Sequence, residues 1–367
     1  MLLKRKMTRL FKKSTLLPVI VLSMLFAGPA GQAAAEEAPA PPPIGGRAAV
    51  LINADSGKVL YSFNQDERLA MASTTKMMTA LLIIEDFSDL SLRVTASQRA
   101  AEVGESSIWL TAGETLTVHE MLTGLLVQSG NDAAMALAEF DAGSMEAFVE
   151  KMNKRAQELG MNNTHFVNPH GLDDPQHYTS AADFARLGVE VIKHPVLREI
   201  VKNYQAAIPW TGQPYGRTLT NHNYLLNHSP LIGGIKTGFT DVAGQCIVIS
   251  ANSNGTNLIL AYLGGPSLAQ RDQDVMNLIN FGFDNYRSMT LFSRDKEYAS
   301  VAVPYHWGSS LSLVAFEDVS RPVCVSSRID YRISLPDSPR LPIRRGDKVG
   351  IIEAYDGDFL VGSSYLL

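Results

Sequence analysis

Cysteine is nearly absent from this chain: Cys246 and Cys324 are the only two in 367 residues. Two cysteines so far apart build no disulfide framework, and Cys246 sits in an apolar, strand-like run, so both read as free thiols. A strong charge of either sign is also missing. With 32 basic and 37 acidic side chains the formal net charge is −5, which gives no electrostatic reason to expect a nucleic-acid partner. Long hydrophobic runs are lacking too. The one extended candidate, Leu16 to Ala27, falls short of the ~20 apolar residues that a spanning helix needs. No cysteine follows that run, so lipid attachment of the bacterial lipoprotein kind is excluded. No internal repeat is visible, and no amphipathic helix precedes Leu367 to serve as a C-terminal membrane anchor.

What is present begins with a basic terminus. Lys4, Arg5, Lys6, Arg9, Lys12 and Lys13 precede the apolar run, and Ala33-Ala34-Ala35 follow it. That is the anatomy of a secretory signal over residues 1–35, with cleavage after Ala35 and export to a periplasmic or extracellular space; an uncleaved anchor is the alternative. Residues 36–46 are Pro/Ala-rich and read as a linker, so the folded chain is expected from Arg47. Ala48 to Ile52 and Val59 to Phe63, on either side of the turn Asp55-Ser56-Gly57-Lys58, predict a hairpin. Met77 to Ile84 is apolar almost all round, the pattern of a helix buried in a core.

Further helical patterns run over Val118 to Leu126, Asp132 to Phe140, Met145 to Leu159 and Ser180 to Ile192. Strands follow at Cys246 to Ala251 and Leu258 to Leu263, then a helix from Arg271 to Tyr286. The order implies a sheet assembled from both ends of one domain, residues 47–288, and covered by helices. From Leu291 to Leu367 short alternating runs broken by Pro, Gly and Asp predict a small all-β domain.

Three short motifs carry chemistry. In Ser73-Thr74-Thr75-Lys76 a lysine three residues after a serine shares its helical face, and the helix start surrounds the hydroxyl with backbone N–H groups. Serine is a weak nucleophile until a base takes its proton, and Lys76 serves as that base if burial and a second cation lower its pKa. Taken alone, the tetrapeptide equally describes an N-cap serine with a snorkelling lysine. The apolar neighbours Met77, Met78 and Leu81 to Ile84 weigh against that, because a buried lysine needs a partner or a task.

Ser129-Gly130-Asn131 is either an ordinary inter-helix turn or a loop pointing a hydroxyl and a carboxamide into a cleft. Lys236-Thr237-Gly238, after Gly233-Gly234-Ile235 and before Phe239-Thr240, is either a surface strand edge or a strand whose glycines let a ligand approach the backbone.

The three motifs in this order form the set used by penicillin-binding proteins and class A β-lactamases. The chain resembles the low-molecular-mass penicillin-binding proteins, the D-Ala-D-Ala carboxypeptidases, over almost everything after the linker. Supporting stretches are Gln128-Ser-Gly-Asn-Asp-Ala133, Gly160-Met-Asn-Asn-Thr-His-Phe166, Gly171-Leu-Asp173 and Gly234-Ile-Lys-Thr-Gly-Phe-Thr240.

The resemblance implies an α/β (α+β) DD-peptidase and β-lactamase-like domain, helices on an antiparallel sheet, followed by the β-rich domain. It implies Ser73 as the acylated nucleophile, Lys76 as its base and Ser129 as the group passing a proton to the leaving D-alanine. Asn131 would hold the substrate amide, Lys236 would keep the site cationic, and Thr237, with Gly238 beside it, would bind the terminal carboxylate. The oxyanion hole would be the backbone N–H groups of Ser73 and Phe239, and Arg271 would attract the substrate carboxylate. The implied partners are a peptidoglycan stem peptide ending in D-Ala-D-Ala and β-lactams as covalent inhibitors, with no metal or organic cofactor. The rival readings are a β-lactamase and a non-catalytic scaffold that binds cell-wall peptide. Against the first stands the lack of any Glu between Leu159 and Val189 to position a deacylating water; against the second, the intact residues for acylation.

Overall fold

The computed structural model describes residues 40–303, 309–325, 327–336 and 342–367. The expected signal and residues 36–39 of the linker lie outside the described residues. The described residues cluster into two compact units: residues 40–290 with Ser320–Ser327, and Leu291–Val319 with Arg328–Leu367.

In the larger unit β1 (Ala48–Asn53) and β2 (Val59–Phe63) form the expected hairpin, and a one-turn 3₁₀ segment, Ala72–Thr75, leads into α1 (Lys76–Asp86). A ribbon of β3 (Arg93–Thr95) and β4 (Thr115–Thr117) encloses α2 (Gln98–Ala101). Then come α3 (Val118–Thr123), continued by a π-helical turn over Gly124–Gln128, α4 (Asn131–Ala142), α5 (Met145–Glu158), α6 (Ala181–Lys193) and α7 (Pro195–Val201). A second ribbon, β5 (Gln205–Ile208) with β6 (Arg217–Thr220), and the short α8 (Leu225–His228) precede β7 (Ile232–Thr240), β8 (Gly244–Ser253), β9 (Thr256–Gly265) and α9 (Leu268–Asn285).

The main sheet has the order β2-β1-β9-β8-β7 and is antiparallel throughout, so strands from both ends of the unit do meet side by side. Helices cover both of its faces. Ala48, Val50 and Ile52 of β1, with Ile259, Ala261 and Leu263 of β9, join the core containing α1, α4, α5 and α6. Ala49 and Leu51, with Leu258, Leu260 and Tyr262, join a smaller core with Val275, Leu278 and Ile279 of α9. This two-sided burial explains why β1 reads as a continuous apolar run instead of an alternating one.

Helix α1 is buried at every position from Lys76 to Ile83. By contrast α5 buries only Phe148, Met152 and Ala156, one stripe at four-residue spacing.

Among the boundaries that differ from the expectation, two bear on the catalytic part. The last helix begins at Leu268, three residues before Arg271, because Ser267 Oγ accepts from Gln270 N at 3.2 Å and caps it. At the other end Ile44 packs on the α9 core and Gly45 N donates to Asp274 Oδ2 at 2.7 Å, so packed chain starts before Arg47.

The smaller unit is built of strands. Glu297–Ala302 pairs with Ser310–Val314, and Ile329–Ser334, Gly350–Asp356 and Phe359–Leu366 form an antiparallel three-stranded sheet. Leu313, Ala315, Ile352, Ala354 and Leu366 are among its buried apolar residues. Among the described residues no helix is long and apolar enough to cross a membrane.

Candidate active site

The turn before α1 is held by the side chains of the two threonines that follow Ser73. Ala72 adopts φ +49°, uncommon for a residue with a Cβ. Thr74 Oγ1 donates back to Met71 O, and Thr75 Oγ1 donates to Ala72 O at 2.8 Å. Thr75 Oγ1 therefore accepts from His177 Nε2 at 2.7 Å, and the opposite ring nitrogen, Nδ1, accepts from Val167 N at 3.1 Å. The contact at Nδ1 needs the neutral ring, and burial pushes the His177 pKa down to about 4.

Ser73 and Lys76 stand three residues apart across a 3₁₀ turn, where such side chains eclipse. As an ammonium, Lys76 Nζ donates to Ser73 Oγ at 2.8 Å, to Asn131 Oδ1 at 2.7 Å and to His170 O at 2.6 Å. None of these acceptors is charged. Burial, followed by the nearby Lys236 cation, holds the Lys76 pKa well below its ordinary value, while Asp132 and Glu105 oppose this more weakly.

A neutral amine keeps two N–H groups and one lone pair. Because Asn131 Oδ1 and His170 O can only accept, they occupy both N–H groups, and the lone pair is left facing the Ser73 hydroxyl. The arrangement can thus take a proton from Ser73 and from no other partner of Lys76.

Ser129 sits at φ +68° where the π-helical turn ends, and its hydroxyl makes no hydrogen bond to the described residues. Asn131 opens α4; its Nδ2 donates to Gly104 O at 3.0 Å while its Oδ1 accepts from Lys76. The next residue, buried Asp132, accepts from Ser107 Oγ at 2.6 Å, from Ile108 N at 3.1 Å and from Leu110 N at 3.0 Å. It fixes the 104–110 loop against the site.

The third motif lies on β7, the edge strand. Lys236 pairs with Val248 and Gly238 with Cys246, so both face the side of the sheet that α1 covers. A Cβ on Gly238 would stand 2.9 Å from Ser73 N, which is why glycine is required where strand and nucleophile turn touch. Lys236 is buried, donates to Thr237 O at 3.0 Å, and is brought down to about pKa 7 by burial and then by Arg271.

Arg271 lies in the first turn of α9 and is buried, unlike the surface arginine that a helix start suggests. It donates to Asp272 Oδ1 at 2.7 Å from Nη2 and at 2.9 Å from Nε, with a longer contact to Gln245 Oε1 at 3.4 Å. Its charge acts on Lys236, and that of Lys236 acts on Lys76. Thr237 is buried beside them, and the Phe239 side chain is exposed.

The structure therefore brings Ser73, Lys76, Asn131 and Lys236 into one electrostatic unit, with Gly238 in contact with its turn. Sequence reasoning quoted Asp132 and Gly171 only within longer stretches and gave no role to Asp132 or to the segment Asn168–Gly171. Asn168 Oδ1 accepts from Gly171 N at 2.6 Å, and Thr79 Oγ1 donates to Pro169 O at 2.6 Å, which aims His170 O at Lys76. Asn-Pro followed by Gly is a turn signal, but nothing in it announces a lysine acceptor.

A serine and lysine joined at the start of a buried helix, beside the edge strand of a helix-covered antiparallel sheet, define the active-site serine enzymes of the penicillin-binding class. The sequence profile of the D-alanyl-D-alanine carboxypeptidase family matches residues 34–267, and the chain belongs to that family. D-alanyl-D-alanine carboxypeptidase DacF of Bacillus subtilis (strain 168) is 36% identical over 330 residues, covering 86% of this chain and 83% of its own. DacA of Escherichia coli (strain K12), also a D-alanyl-D-alanine carboxypeptidase, is 33% identical over 327 residues, covering 86% of this chain and 80% of its own. The crystal structure of penicillin binding protein 5 from Haemophilus influenzae superposes with a TM-score of 0.75 at 30% identity, covering 89% of this chain and 97% of its own.

Proposed function

We propose that this chain releases the terminal D-alanine from peptidoglycan pentapeptide stems through an acyl-enzyme on Ser73. The observation that carries the reading is the Lys76 contact set, two obligate acceptors and one serine hydroxyl. Lys76 takes the Ser73 proton as Oγ attacks the carbonyl carbon of the penultimate D-alanine. The resulting oxyanion is held by the backbone N–H groups of Ser73 and Phe239. Ser129, whose hydroxyl has no competing partner among the described residues, passes a proton to the departing D-alanine nitrogen as the C–N bond breaks. Water then cleaves the Ser73 ester and regenerates the enzyme.

Asn131 holds the substrate amide. Thr237, Lys236 and, through its field, Arg271 receive the terminal carboxylate, with Gly238 leaving room for the strand to approach. A β-lactam presents the same terminus and acylates Ser73. Residues 47–288 form the catalytic part, and the basic, apolar N-terminus exports the chain to the cell-wall space. The test is D-alanine release from a Lys- or diaminopimelate-containing pentapeptide: the wild type releases it, and folded Ser73→Ala does not. Release by that variant would remove Ser73 from the mechanism.

A further inference from the structure

One exposed patch of the larger unit has no task in the chemistry above. Trp109 is 51% exposed and Tyr215 60%. The Trp109 and Trp210 rings lie nearly parallel, 23° apart with centroids separated by 6.4 Å, and Tyr215 meets Trp210 edge-on at 6.0 Å.

The patch is held rigidly. Trp109 adopts φ +60°, a region that bulky residues avoid, and its N–H donates to Ser107 Oγ at 2.7 Å. Its neighbours Ile108 and Leu110 give their N–H groups to Asp132, the residue after Asn131. Arg217, buried and paired with Glu114, places its guanidinium 5.3 Å from the Trp210 ring centre. The backbone strain thus turns a large apolar ring outward, next to the loop that borders the catalytic amide.

The rim of the patch indicates what lies on it. Residues 104–112 and 209–216 contain no lysine or arginine; they offer Ser106, Thr211 and Gln213, with Glu105 as their one charge. Such a rim has no attraction for anionic lipid headgroups. Hydroxyls and an amide around flat rings suit a pyranose, whose C–H face packs on an aromatic while its hydroxyls hydrogen-bond at the edge.

We propose that Trp109, Trp210 and Tyr215 form a sugar-binding platform that engages the glycan to which the stem peptide is attached. The identity of that glycan rests on the function proposed above; the platform itself rests on the patch.

The test titrates the full chain with a peptide-free β-1,4-linked oligosaccharide of N-acetylated amino sugars and follows tryptophan fluorescence. Saturable change is expected, lost in Trp109→Ala, kept in Trp109→Tyr, and weakened about fivefold in Tyr215→Ala. No saturable change in the wild type, or a response only to phosphatidylglycerol-containing vesicles, overturns the platform. A second arm compares kcat/KM on glycan-linked and free pentapeptide. Trp109→Ala and Tyr215→Ala are expected to lower the first about five- to tenfold and leave the second unchanged; equal losses on both overturn the proposal. If the wild type cleaves neither substrate, the proposed function fails while the sugar titration still decides the platform.

Discussion

Gly238 passes so close to Ser73 that an added methyl group would stand 2.9 Å from the serine amide nitrogen. Gly171 closes the other side: at φ +99° its Cβ would fall 2.0 Å from Ala72 O. The nucleophile turn is clamped between two backbones that only glycine permits. Gly171→Ala is expected to slow acylation by a fluorescent penicillin about a hundredfold, because the turn must move to admit the methyl group. Labelling within twofold of wild type would show that the turn has room.

Lys76→Arg should lose about a hundred- to ten-thousandfold in D-alanine release, the span that general base catalysis contributes, since a guanidinium stays protonated. Asn131→Asp is the subtler variant. A carboxylate in place of the acceptor 2.7 Å from Lys76 stabilises the ammonium, so the pH at which activity appears should move upward. An unshifted pH–rate profile would mean that Lys76 is not the titrating base.

Lys236 gives a stability prediction with a definite sign. Its ordinary pKa is 10.5, and burial with Arg271 brings it to about 7 in the fold. Between those values the unfolded chain binds more protons than the folded one, so this group makes stability rise as pH increases through the window. Lys236→Met should remove that slope: its Tm advantage over wild type is expected to be larger at pH 7 than at pH 9. Parallel Tm curves would show that Lys236 keeps an ordinary pKa.

Asp132 carries the loop that neither motif nor periodicity revealed. Asp132→Ala leaves the Ile108 and Leu110 N–H groups without their acceptor and should lower unfolding free energy by about 3 kcal/mol, measured by urea denaturation. A loss within experimental error would mean that water replaces the carboxylate.

The sheet and its helices were legible because their signals are local and repeated: the apolar run of β1, the all-round burial pattern of α1, and the hairpin turn between β1 and β2. The Ser73–Lys76 contact was legible because three-residue spacing survives whether the turn is α or 3₁₀. The remaining acceptors of Lys76 come from residues 55 and 94 positions away, and no single-chain pattern pairs such residues. Arg271 was legible as a residue but not as a buried one, since its burial depends on α9 starting at Leu268 against Gln245. The aromatic patch was invisible for the same reason: Trp109 and Trp210 meet only through the fold.

The central claim is that Ser73, activated by Lys76, forms the acyl-enzyme. Incubation of the full chain with benzylpenicillin, followed by intact-mass and peptide mass spectrometry over time, tests it most directly. The predicted result is one adduct, located on the peptide containing Ser73 and absent from Ser73→Ala, which persists after free drug is removed because no Glu lies between Leu159 and Val189 to activate a water. An adduct on another residue, or rapid return to unmodified mass with steady drug consumption, would contradict it.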